Sequence, residues 1–186
     1  MNSIRSGLAG LAVAAVFASA SPAMAAFFSA YTEIDLDQCT VMNADDFGAS
    51  WACPGHKGYP LYVAEADQRF RLSYGFDAPR EMAASQTPPP FNTLGPRLEW
   101  RLSNASGGFK PIATIAQYLV GGGAAQKAGE VLVVTRLGDG QTCHIAYIDA
   151  LANADAKTLA EQAADGADAF DCARDTAKTI GPFTAW

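Results

Sequence analysis

The sequence predicts an α+β fold: a predominantly antiparallel sheet of seven or eight short strands, curled or sandwiched, with one C-terminal helix packed on it. Three observations predict it. Short runs with apolar residues at a period of two recur between glycine- and proline-rich turns, the pattern of half-buried strands. One alanine-rich stretch near the end carries apolar residues at spacings of three and four. Four cysteines, Cys39, Cys53, Cys143 and Cys172, fall in two pairs that are each close in sequence.

Taken in order, the chain opens with Arg5, an uncharged apolar run from Leu8 to Ala20, and "SPAMAAFF". Ala23 and Ala25 stand in the A-x-A relation of a signal-peptidase site, so residues 1–25 are expected to be a secretory signal peptide. The run has 13 residues, and a membrane span needs about 20. Cleavage after Ala25 leaves residues 26–186 as a single domain, periplasmic or secreted, with no membrane insertion. The mature chain loses Arg5 and no acid, so 12 basic residues face 19 acidic ones. Nucleic acid repels such a surface, and no basic cluster reverses this locally.

An even number of cysteines in an exported chain reads as disulfides. Local pairing gives Cys39–Cys53 and Cys143–Cys172, closing loops of about 15 and about 30 residues that stabilise by about 3 and about 3.5 kcal/mol. Cys53 stands three positions before His56 in "CPGH", which raises two other readings. A thiol nucleophile needs a base placed in space. A zinc site would combine Cys53, His56, Cys143 and His144, but Cys143 and His144 are neighbours and would point to opposite faces of a strand. Disulfide bonding removes both.

"FFSAYTEIDLD" (27–37) reads as a strand whose Glu33, Asp35 and Asp37 share a solvated face; calcium is the sharper reading, without an EF-hand spacing to support it. "QCTVMN" and "SWACP" are short strands around the turn "ADDFGA". "PGHKG" is a tight turn with His56 at its exposed tip. "YPLYVAE" and "RFRLSYG" form a hairpin, the second with Phe70, Leu72 and Tyr74 opposing Arg69, Arg71 and Ser73. From Phe76 to Pro96 come five prolines, read as a long surface loop with polyproline II at Pro88 to Pro90. In "RLEWRLS", Leu98, Trp100 and Leu102 alternate with Arg97, Glu99 and Arg101. "FKPIATIAQYLV" is a longer strand, "GGGAAQKAG" a flexible loop, and "EVLVVTRL" and "QTCHIAYIDA" a hairpin about "GDG". His144 lies inside the last strand as a structural residue. The helix is expected from Asn153 to about Phe170, capped by Asn153 or Asp155, with Cys172 tethering its end to the strand at Cys143. The tail to Trp186 shows no pattern.

No G-x-S-x-G, H-E-x-x-H, C-x-x-C or phosphate-cradling glycine motif occurs in residues 26–186, so no cofactor or metal is expected and no catalytic residue is selected. The expected function is a binding or interaction module of the cell envelope, recognising an envelope protein or a small ligand through Trp51, His56, Tyr59 and Phe91, aromatic side chains on or beside loops. The alternative is a periplasmic hydrolase with paired carboxylates.

The runs "CTVMNADDFGASWACPGHKGYP", "VAEADQRFRLSYG" and "VVTRLGDGQTCHIAYIDALANADA" resemble small exported proteobacterial proteins of unassigned function. That resemblance implies export and a single domain, and carries no site residues with it.

Overall fold

A computed structural model describes residues 25–121 and 128–186. Residues 1–24 of the expected signal peptide and 122–127 of "GGGAAQKAG" lie outside the described residues. The elements are β1 (Phe27–Glu33), β2 (Thr40–Asp45), β3 (Gly48–Cys53), β4 (Leu61–Ala66), β5 (Arg69–Tyr74), β6 (Asn92–Ser103), β7 (Lys110–Val120), β8 (Gly129–Arg136), β9 (Cys143–Asp149), α1 (Ala156–Asp165) and β10 (Lys178–Thr179). They build three layers. A six-stranded sheet, β1-β6-β7-β8-β9-β10, carries α1 on one face, and a four-stranded meander, β2-β3-β4-β5, covers the other.

The alternation of side chains along each strand explains the layering. Leu98, Trp100 and Leu102 of β6, Tyr118 and Val120 of β7, and Val131 and Val133 of β8 face Leu61 and Val63 of β4 and Leu72 and Tyr74 of β5 across the inter-sheet core. The opposite phase, Ala113, Ile115, Val134, Ile145 and Ile148, meets the alanine stripe Ala156, Ala160, Ala164 and Ala167. Small side chains let α1 lie close to the sheet. Central strands covered on both faces read as continuous apolar runs, as "EVLVVTRL" does. Trp100 is fully buried, donates its indole N–H to Thr32 Oγ1 at 2.9 Å, and meets Tyr59 and Tyr74 edge-on at 5.6 and 5.7 Å.

Both disulfides form as expected: Cys39–Cys53 joins the start of β2 to the end of β3, and Cys143–Cys172 joins β9 to the segment after α1. Such bonds persist in oxidising compartments and are rare in the cytosol, so the structure suits a secreted or otherwise oxidising setting. No helix among the described residues is long and apolar enough to cross a membrane.

Several expectations change. Among the described residues there are ten strands rather than seven or eight. The first ends at Glu33, because Asp35 accepts from the Asp37 N–H and starts a 3-10 turn over Leu36–Gln38, so the three acids do not share a strand face. The proline-rich stretch is no free loop. Two 3-10 turns bury Ala78 and Ala83. The Glu81 carboxylate accepts from Gly140 and Thr142 N–H, and Gln86 Oε1 from His144 N–H, stitching the stretch to the β8–β9 hairpin. The helix is shorter than expected, and neither proposed cap bonds to its first turn. Asp155 sits at the N-cap position without a side-chain hydrogen bond. The Asn153 amide instead donates to the carbonyls of Asp149 and Pro182. The tail has structure: β10 pairs in parallel with β9.

Candidate functional site

The four-stranded sheet presents ordered rows to the larger one. Register aligns Cys53, Leu61 and Tyr74 in one row, Trp51, Val63 and Leu72 in the next, and Ala49, Glu65 and Phe70 in a third. The first row closes against Trp100 in the core. The third reaches the end of the sandwich, where the sheets part over a groove of about 730 Å³. Trp51, Phe70, Phe91 and Leu119 give it apolar walls, with Glu65 and Gln68 at one side. Ligand sites of this kind, largely apolar with a few polar groups, run about 300–1,000 Å³.

Asn92 builds this groove. Its Oδ1 accepts from the Phe70 N–H, its N–H donates to the Gln68 carbonyl, and its amide donates to Thr87 Oγ1 and the Pro88 and Pro90 carbonyls. One buried side chain thus pins the proline run to β5 and holds Phe91 beside the groove, where it stays 45% exposed. In the sequence, an asparagine directly after "PPPF" is the only trace of this role; Phe70 and Leu119 read simply as strand residues.

The four aromatic candidates do not converge. Trp51 and Phe91 line the groove together. His56 and Tyr59 sit at the other end, around Trp100. His56 is half-buried, not at an exposed tip: its ring centroid lies 6.3 Å from that of Trp100. Gly55 explains why, since a β-carbon there would collide with the Tyr59 carbonyl and the Trp100 ring. Burial, then the charge of Lys57, lowers the His56 pKa. Burial, reinforced by Asp139 and Glu81, raises that of the Tyr59 phenol. His144 is a core residue, with Nδ1 3.0 Å from the Tyr147 hydroxyl and its pKa pushed down to about 3 by burial.

A second cleft, of about 550 Å³, lies on the helix face of the larger sheet. Glu33, Glu99 and Glu130 line it with Arg97 and Lys157 over a floor that includes Ile115 and Leu132. Glu99 accepts from Ser29 Oγ at 2.5 Å, and Glu130 from the Gln117 amide at 2.7 Å. Glu99 pairs with Ile115 and Glu130 with Leu119, on opposite sides of β7. At about 3.4 Å per residue and about 4.8 Å between strands, their Cα atoms stand roughly 17 Å apart.

No family model matches the chain, and no curated protein or solved structure matches it.

Proposed function

We propose that the protein is an exported binding module of the cell envelope, periplasmic or secreted, that holds a small apolar ligand in the inter-sheet groove. The same reading places it among the small exported proteobacterial proteins that its sequence resembles. One observation carries the groove assignment: Trp51 and Phe91, 40 residues apart in the sequence, wall one apolar cavity of ligand size. The stapled sandwich supports it, because a rigid scaffold lowers the entropy lost when a ligand is ordered.

The test is titration of the oxidised protein with the dye phenylnaphthylamine, followed by its fluorescence. Binding should be saturable, and Trp51→Ala and Phe91→Ala should each weaken it about tenfold, the scale of one apolar side chain leaving a contact. Phe91 is exposed, so its variant keeps the fold. No dye binding, or equal binding by both variants and the parent, overturns the assignment.

A further inference from the structure

The structure assigns a ligand class to the inter-sheet groove: an apolar chain that ends in a quaternary ammonium group. Such a ligand presupposes the apolar groove proposed above and adds a charge to it. Leu61 and Val63 of β4 point into the inter-sheet core, and Glu65 follows two residues on, in the same phase of the strand. A carboxylate thus stands where alternation calls for an apolar side chain. Register sets Glu65 directly beside Phe70 and diagonal to Trp51. Direct cross-strand neighbours stand about 5 Å apart and diagonal ones about 7–8 Å, within reach of aromatic side chains. Glu65 therefore enters the groove among Trp51, Phe70 and Phe91. A quaternary ammonium has no N–H to donate, and aromatic faces with a nearby negative charge are the surroundings that hold it.

Turn chemistry does not require that charge. Glu65 Oε1 accepts from the Gln68 N–H at 2.9 Å, a bond the amide oxygen of a glutamine would accept equally. Among the described residues no lysine, arginine or histidine lines the groove, and Glu65 has no cation within ion-pair distance. Nor, among the described residues, do the three rings pair with one another or lie under a cation, so their faces are not already taken. The surroundings carry the same sign. Glu65 and Gln68 also border a neighbouring hollow, whose other acids are Asp45, Asp46 and Asp67. Of these only Asp67 is ion-paired among the described residues, with Arg69. A cation is drawn to such a mouth and an anion is turned away. Leu119 and the buried Val120 supply apolar wall for the chain that the ammonium ends.

The experiment is calorimetric titration of the oxidised protein with octyltrimethylammonium, octyl sulfate and octanol at low ionic strength. The ammonium should bind about tenfold more tightly than octanol, and the sulfate more weakly than either. Added salt should narrow the gap. Glu65→Gln keeps the turn bond and should reduce the preference for ammonium over octanol about three- to fivefold, the scale of one partly exposed ion pair. Phe91→Leu keeps an apolar wall without the ring, and should reduce the same preference about threefold, the scale of an exposed cation–π contact. A thermal melt confirms that both variants are folded; should one not fold, the other variant and the parent's ranking of the three head groups decide. Equal affinity for ammonium and octanol, tighter binding of the sulfate, or an unchanged preference in either variant would overturn the ammonium class and leave an apolar groove in place. Failure of all three ligands together with phenylnaphthylamine would instead overturn the groove itself.

Discussion

Asp149 shows how one buried side chain decides the course of a segment. It ends β9, and its carboxylate accepts from the N–H groups of Leu151, Ala152 and Thr184 and from the Thr184 hydroxyl. Burial pushes its pKa up, but these four donors prevail and hold it below the ordinary 3.8. A depressed folded value means the carboxylate's contribution is whole above about pH 4 and fades as acid titrates it. Asp149→Asn should cost about 1–3 kcal/mol at pH 7, the scale of a buried acceptor lost to its donors. The deficit should shrink at pH 3; urea denaturation at both values measures it. A deficit that persists unchanged at pH 3 would mean the charge is irrelevant. "YIDALAN" in the sequence shows an aspartate after a strand but gives no hint of Thr184, because the partner comes from 35 residues away.

At the scale of elements, most strands were legible because their periodicity is local: β4, β5, β7, β8 and β9 lie within a few residues of where alternation and turn residues put them. The β4–β5 turn succeeds without glycine, Asp67 and Gln68 both taking left-handed φ near +56° and +57°, as a tight hairpin requires. The proline-rich stretch was misread because prolines advertise a loop, whereas its anchors, Glu81, Gln86 and Asn92, are ordinary polar residues until a partner reaches them. The helix ended early because Gly166 closes it at Asp165. Beyond it, Cys172 donates its N–H to Gln141 and is bonded to Cys143. Replacing Cys143 and Cys172 together with alanine should lower stability by about 3.5 kcal/mol by the chain-entropy scale, read from urea midpoints. A loss under about 1 kcal/mol would show that α1 is held chiefly by its alanine face and by the Arg101–Asp165 pair.

At the scale of the whole molecule, two cores share one central sheet, and each disulfide fastens a peripheral layer to it or within it. Cys39–Cys53 secures β2, whose residues are all exposed, to β3; Cys143–Cys172 secures the helix side. All four sulfurs are engaged, so the unreduced folded protein should take up no iodoacetamide, and mass spectrometry checks this. Labelling of Cys53 would break the staple on which the sandwich reading depends. The two clefts open on different faces of the central sheet, one toward the meander and one toward the helix.

The sequence by itself determined the fold class, the local cysteine pairing and the strand order along the chain, because alternation, turn chemistry and short loop closure act over a few residues. Only the tertiary structure decided where ligands could sit. Trp51 and Glu65 share a groove with Phe91 through sheet register and the meeting of layers. Those are long-range outcomes of burying two apolar faces at once, and no single stretch of residues encodes them.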